Sequence, residues 1–160
     1  MDVYLVQHAQ SKPKEEDPAR PLTADGVKTI EKVASHCAKM KLSADQIYHS
    51  GKLRAQQTAE VLAKHLNAPN IVQAKAGLDP LDPVGPAKSW LEELAGRGLK
   101  SVAVVGHLPF LDKLASLLVA GNENAGIISF QNAGVVKLVP KSPGEGYCVQ
   151  WILTAHQLVP

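Results

Sequence analysis

The chain has 160 residues, 45% hydrophobic and 20% charged, so it can bury a core of its own and is not intrinsically disordered. A formal net charge of +2 and 4% aromatic residues argue against a protein that coats nucleic acid or an anionic membrane. We expect one domain over residues 1–160. The two cysteines fit no metal or disulfide spacing and no signal peptide is visible, so we expect a cytoplasmic protein.

Apolar runs and amphipathic stretches alternate along the first part of the chain. Residues 3–6 predict a buried strand, and residues 9–22, which contain three prolines, predict a surface loop. Thr23 is a plausible N-cap for a helix over residues 24–41. The predicted buried face of this helix consists of apolar residues three or four positions apart: Val27, Ile30, Ala34 and Cys37.

Further elements follow in the same alternation. They are a strand at residues 46–48, a helix at 52–66, a short strand at 71–72, a helix at 84–97, a strand at 101–105 and a helix at 109–120. Pro109 is expected at the first position of the last helix, where a missing N–H costs nothing. Strands over 135–139 and 148–153 flank a glycine-rich turn and predict a hairpin. The pattern predicts an α/β domain with a mostly parallel sheet and an antiparallel C-terminal hairpin.

Three of the six histidines follow predicted strands: His8, His49 and His107. Ligands of open α/β sheets bind at the carboxyl ends of the strands, so these histidines indicate a polar site. Zinc is disfavoured, because no metal-ligand spacing occurs, and we predict no metal. An anion fits better, since His107 stands at a predicted helix N-terminus. Arg54 lies in the first turn of another helix, either to bind that anion or as a solvated surface charge.

Four segments carry a family resemblance. Residues 5–9 resemble an Arg-His-Gly motif, with Gln7 and Ala9 in place of Arg and Gly, and residues 20–23 resemble Arg-Pro-Leu-Thr. Residues 50–59 resemble Ser-Pro-x-x-Arg-Ala-x-Gln-Thr-Ala, and residues 105–109 resemble a segment around a second histidine. In order, spacing and length the chain is similar to the small phosphohistidine phosphatases of the histidine phosphatase (phosphoglycerate mutase-like) superfamily. The resemblance implies a three-layer fold with helices on both faces of the sheet.

The resemblance also implies roles for individual residues. His8 would be the nucleophile that becomes phosphohistidine, and Arg54 and His107 would hold the phosphoryl oxygens. Gln7, Arg20 and Ser50 would contact the substrate. The reaction would need no metal or cofactor and would release inorganic phosphate. Its substrate would be a protein that carries phosphohistidine, or a small phosphorylated molecule.

The segment that contains Asp79 and Asp82 has two interpretations, and one of them supplies a general acid. Asp79 and Asp82 are the nearest candidate carboxylates by position, and the alternative is that both are turn residues before the third helix. In a phosphoramidate such as phosphohistidine, the protonated ring nitrogen departs readily and needs little help from a general acid. This favours phosphohistidine as the substrate.

The departures at the first motif leave two functions open. Glutamine offers a neutral amide where arginine offers a charged, bidentate fork. A shortfall of about 1–3 kcal/mol would lower rate or affinity roughly 5- to 150-fold. The chain is thus expected to be a weakened or retuned phosphatase. The alternative is a catalytically impaired module that binds phosphate or phosphohistidine. Ala9 is tolerable unless the backbone there requires a positive φ.

Overall fold

The computed structural model describes residues 1–68 and 71–158. These residues form six strands and four α-helices in a largely alternating order. The elements are β1 (Asp2–Gln7), α1 (Ala24–Lys39), β2 (Gln46–His49), α2 (Leu53–His65), β3 (Val72–Ala74), α3 (Val84–Gly96), β4 (Ser101–Gly106), α4 (Phe110–Ala120), β5 (Val135–Pro140) and β6 (Tyr147–Leu153). A short 3₁₀ helix, Ala155–Gln157, follows β6.

All six strands belong to one sheet with the order β3-β2-β4-β1-β5-β6. Strand β4 pairs in parallel with β1 on one side and with β2 on the other, and β3 continues the parallel part. Strands β5 and β6 form the antiparallel hairpin, which joins the sheet through β1. The predicted mixed sheet and its C-terminal hairpin are therefore confirmed.

Helices cover both faces of the sheet. Side chains alternate in direction along each strand, so each strand contributes residues to both faces. Val3 and Leu5 of β1 pack in one buried cluster with residues of α3 and α4. Tyr4 and Val6 belong to a second cluster, which contains residues of α1 and α2. The helices therefore form one layer on each face of the sheet, which is the three-layer arrangement that the resemblance implied.

The buried face of α1 differs from the prediction at one position. Thr23 caps the helix as expected, since its hydroxyl accepts a hydrogen bond from Gly26 N. Val27, however, is 40% exposed, and the helix buries Gly26 and Val33 instead. A side chain at Gly26 would bring its Cβ to 2.1 Å from Gln10 O, so the loop after β1 packs directly on this glycine. An apolar periodicity cannot register a contact made by a residue that has no side chain.

Most predicted boundaries shift by one or two residues, and two of these shifts have a visible cause. Helix α4 begins at Phe110, so Pro109 lies in the turn before it and not at its first helical position. The short strand predicted at residues 71–72 begins at Val72 and extends to Ala74, because its register follows residues 47–49 of β2. As β3 is an edge strand, Gln73 and Ala74 are exposed and only Val72 is strongly apolar, which weakens its apolar signal. No helix within the described residues is long and apolar enough to cross a membrane.

Candidate active site

Two of the strand-exit histidines meet at one edge of the sheet. Gln7 and Gly106 are register partners at the ends of β1 and β4, so the next residues, His8 and His107, leave the sheet side by side. Their ring centroids are 5.1 Å apart and the rings are inclined by 51°. His49 is engaged differently, because its Nδ1 accepts a hydrogen bond from Gly51 N at 3.1 Å and so braces the turn after β2.

A backbone carbonyl group determines the tautomer of the His8 ring. Its Nδ1 lies 2.7 Å from Ala9 O, and since a carbonyl only accepts, Nδ1 carries the proton. Burial lowers the pKa of His8, and the charges of Arg54 and Arg20 lower it further, against the hydrogen bond to Ala9, which raises it. At neutral pH the ring is therefore neutral, with a lone pair on Nε2. This is the state that a nucleophilic imidazole requires.

The ring of His107 is 2% exposed and strongly biased towards its neutral form. Its Nε2 lies 2.6 Å from Ser50 Oγ. Burial is the main cause that lowers the pKa of His107 to about 3, and His8, Arg54, Lys52 and Arg20 are further causes. Three of these groups, Arg54, Lys52 and Arg20, are cations, and they make this edge of the sheet electropositive.

The cations reach this edge from two segments. Arg54 is the second residue of α2, and burial lowers the pKa of its guanidinium, with a further lowering by Arg20. Arg20 has a positive φ of 50° in the loop after β1. Its guanidinium donates to Lys12 O at 3.2 Å and to Ser11 Oγ at 3.3 Å. Two guanidinium groups near two neutral imidazoles are suited to bind a phosphate-like anion.

The same edge holds buried polar atoms that lack hydrogen-bond partners. Among the described residues there are four such side-chain atoms, and three belong to Gln7, Arg54 and His107. Arg54 Nε is a donor and His107 Nδ1 is one when protonated, whereas the Gln7 atom is Oε1, an acceptor. An oxyanion could pair with the first two of these atoms. Buried polar atoms normally find partners, so their concentration at one place is evidence for a ligand site.

The two candidate carboxylates are placed differently. Asp79 Oδ1 lies 3.9 Å from Lys52 Nζ, and the charge of Asp79 raises the pKa of Arg54, so this carboxylate lies at the cationic edge. The carboxylate of Asp82 instead accepts a hydrogen bond from Asp79 N at 2.8 Å, as a turn residue would. Nowhere in the described segments do three or more His, Cys, Asp or Glu residues form a group that could hold a metal ion.

Three supporting contacts involve residues to which the sequence assigned no role. Thr58 Oγ1 accepts a hydrogen bond from Ala9 N at 3.0 Å and donates one to Arg54 O at 2.7 Å. Asn132 Nδ2 donates to His8 O at 3.0 Å. Thr58 lies within the quoted motif of residues 50–59, which was the available signal, whereas no pattern marks Asn132. Ala9 has no positive φ, so the methyl group in place of the family's glycine causes no backbone strain.

Comparison with known proteins identifies relatives along most of the chain. Residues 3–82 match the model of the histidine phosphatase superfamily (branch 1). The chain is 30% identical over 122 residues to phosphohistidine phosphatase SixA of Escherichia coli (strain K12), covering 76% of each protein. A structure of the protein histidine phosphatase SixA complexed with tungstate matches with a TM-score of 0.89 and 25% identity, over 99% of this chain and 100% of that one.

The fold extends to more distant enzymes. A phosphoserine phosphatase from Entamoeba histolytica, solved with phosphoserine, has a TM-score of 0.73 at 15% identity, with 99% of both chains covered. That likeness concerns the fold alone. The match to the family model and the 30% identical SixA relative show that this chain belongs to branch 1 of the histidine phosphatase superfamily.

Proposed function

We propose that the chain is a phosphohistidine phosphatase that acts through a phosphorylated His8. The observation that carries this proposal is the state of His8. Its Nδ1 is bound to Ala9 O, its Nε2 keeps a free lone pair, and its ring lies 5.1 Å from that of His107 among cations. A nucleophile, a second imidazole and guanidinium groups are the parts that phosphoryl transfer needs.

In the first step, Nε2 of His8 attacks phosphorus in line with the bond to the leaving group. The N–P bond of the substrate breaks, its electron pair stays on the leaving imidazole, and that nitrogen takes up a proton from solvent. Arg54 and His107 hold the equatorial oxygens, where negative charge spreads in the transition state.

In the second step, water attacks the phosphorus on His8. The P–Nε2 bond breaks and its electron pair returns to the ring. The water contributes its oxygen to inorganic phosphate and releases one proton. His8 is thereby restored to its neutral state, and no metal takes part in either step.

Phosphohistidine is favoured as the substrate because its leaving nitrogen makes little demand on a general acid. Asp79 is the carboxylate nearest the cations, but its side chain is 53% exposed and faces Lys52 Nζ. A strong, dedicated acid for an alkoxide leaving group is therefore not part of our proposal. SixA, the 30% identical relative, is named for phosphohistidine. Tungstate, with which a SixA structure was solved, is an oxyanion similar to phosphate.

Gln7 is proposed to retune the site and not to abolish its activity. His8, Arg54 and His107 are all present, and Arg20 and Lys52 supply positive charge around the rings. The side chains of Lys52 and Asp79, at the rim, are 39% and 53% exposed, so the site is accessible from solvent. Such a rim would admit a phosphohistidine on the surface of another protein.

The test is release of phosphate from a protein phosphorylated on histidine with phosphoramidate. We expect the wild type to release phosphate in the presence of EDTA and His8→Ala to release none. His156→Ala removes an exposed histidine and is the matched control, expected to retain activity. Rapid quenching should trap acid-labile phosphate on the wild type and the control only.

Each other outcome has a defined meaning. If the wild type released phosphate no faster than His8→Ala, the proposed enzymatic activity would be refuted. If the wild type then still bound the phosphorylated protein more tightly than the unphosphorylated one, the chain would be the binding module. Faster release from a phosphoserine peptide than from the phosphohistidine protein would contradict the proposed substrate class.

A further inference from the structure

The hydroxyl of Ser50 is held between a backbone N–H and the second imidazole. Lys52 N donates to Ser50 Oγ at 3.3 Å, and Oγ lies 2.6 Å from His107 Nε2. A hydroxyl has one proton and two acceptor positions. A backbone N–H can only donate, so Lys52 N uses one acceptor position of Oγ and leaves the hydroxyl proton free to be donated.

The two tautomers of neutral His107 use this hydroxyl differently. With the proton on Nε2, Oγ would accept twice and its own proton would find no acceptor among the described hydrogen bonds. With the proton on Nδ1, the hydroxyl donates to Nε2 and both contacts of Oγ are satisfied. Nδ1, which is buried and has no partner within the described residues, then becomes a donor.

We propose that Ser50 is a positioning residue that holds His107 in the Nδ1–H tautomer, so that this ring donates a hydrogen bond to the phosphoryl group. The part that concerns the phosphoryl group rests on the proposed function, whereas the tautomer itself does not. A direct contact of Ser50 with substrate, which the resemblance implies, stays a prediction, and the role proposed here acts through His107.

Tautomer control matters here because the ring is neutral. A cationic imidazole would carry protons on both nitrogens and would donate from Nδ1 whatever Ser50 did. The groups around His107 oppose that state: burial, His8, Arg54, Lys52 and Arg20 all lower its pKa, to about 3. A neutral ring with Nδ1 unprotonated would direct a lone pair at an anion, which is repulsive.

The tautomer can be read directly by ¹⁵N NMR of histidine-labelled protein at neutral pH, with the His107 signals assigned by their absence in His107→Gln. We expect a protonated Nδ1 and an unprotonated Nε2 in the wild type. In Ser50→Ala we expect the Nε2–H form to become populated. Ser50→Thr keeps the hydroxyl and should restore the wild-type spectrum. Ser101→Ala removes a hydroxyl at the far end of β4, bonded to Ser43 O, and is the matched control.

Kinetics then test the consequence for catalysis. Loss of an oriented donor to a charged group should lower kcat of Ser50→Ala about 10- to 100-fold, with a smaller change in KM. Ser50→Thr should recover most of the rate and Ser101→Ala should match the wild type. An Nε2–H tautomer in the wild type would overturn the proposal even if Ser50→Ala did not fold. So would a Ser50→Ala enzyme with unchanged kcat. The spectrum is informative whether or not the chain hydrolyses phosphohistidine, so the two proposals fail separately.

Discussion

At the scale of single residues, Gln7 is the feature that separates this chain from the motif it resembles. It ends β1 opposite Gly106, and its buried Oε1 has no partner among the described residues. Its amide is neutral and lies at the edge to which Arg54 and Arg20 bring positive charge. Glutamine therefore limits the repulsion between like charges when no anion is bound, at the expense of a weaker hold on phosphate.

We predict that Gln7→Arg has opposite effects on the free and the phosphate-bound protein. A charged, bidentate donor should tighten inhibition by inorganic phosphate roughly 5- to 150-fold. Without phosphate, a third guanidinium near Arg54 and Arg20 should lower the melting temperature. Inhibition constants and thermal melts with and without phosphate measure both effects. Gln150→Arg, at an exposed position of β6, is the control and should show neither. Unchanged phosphate affinity in Gln7→Arg would show that the site already compensates for the missing charge.

His107 makes the stability of the fold depend on pH. Its pKa is about 3 in the folded protein and near 6.5 in an unfolded chain. Between these values the unfolded state binds a proton that the folded state does not, so the free energy of unfolding falls as pH decreases. At pH 5 the loss relative to pH 7.5 should be about 2 kcal/mol from this ring.

Urea denaturation at the two pH values measures this loss. In His107→Gln the decrease should be smaller by about that amount, since glutamine does not titrate. The remaining decrease would reflect His8 and His49, whose pKa values are also lowered by burial. His156→Gln, which removes an exposed histidine, controls for the loss of one imidazole. An equal decrease in the wild type and in His107→Gln would contradict the buried, neutral state of this ring.

At the scale of elements, helix α2 is tied to the loop that carries His8 by one side chain. Thr58 is fully buried, and its hydroxyl joins Ala9 N to Arg54 O. The nucleophile and the guanidinium are thus held in register through a threonine that touches neither functional group. Gln57 adds a second tie, since its Oε1 accepts from Leu22 N at 2.8 Å.

We predict that Thr58→Val lowers both stability and activity. Valine keeps the shape but leaves Ala9 N–H buried without an acceptor, which should cost about 1–3 kcal/mol in urea denaturation. Phosphate release should also slow, because His8 and Arg54 lose their common anchor. Thr29→Val is the matched control, because Thr29 makes the same bond to the carbonyl four residues earlier, at Asp25, but on the exposed face of α1. Its effect should stay within about 0.5 kcal/mol. Equal effects of the two variants would mean that the contact with Ala9 contributes nothing.

Features that depend on local apolar runs could be predicted from the sequence, whereas features that depend on contacts between distant segments could not. Strand exits at His8 and His107 depend on apolar runs, which are visible in the sequence, and parallel pairing then brings them together. The buried position of Gly26, the hydrogen bond from Asn132 to His8 and the Ser50–His107 pair depend on distant segments meeting, which periodicity does not encode. His49 shows the limit: it follows the same rule as the other two histidines, yet its ring braces a turn.

At the scale of the whole molecule, positive charge is concentrated where the net charge gives no sign of it. The formal net charge is only +2, yet Arg20, Lys52 and Arg54 all act on the ring of His107 at one edge of the sheet. Folding must hold these like charges together. An anion that binds among them removes repulsion in addition to making its own contacts, so ligand binding and global stability are coupled.

We therefore predict that phosphate raises the melting temperature through Arg54. At a phosphate concentration about 100-fold above its dissociation constant, the stabilisation should be about 2.7 kcal/mol. For a domain of this size that corresponds to roughly 5–11 °C. Arg54→Gln should melt at or above the wild-type temperature without phosphate, because one charge among like charges is gone, and should lose most of the increase. Arg97→Gln removes an exposed arginine at the end of α3 and should keep the full increase. An increase retained in Arg54→Gln would place the phosphate elsewhere and contradict the proposed site.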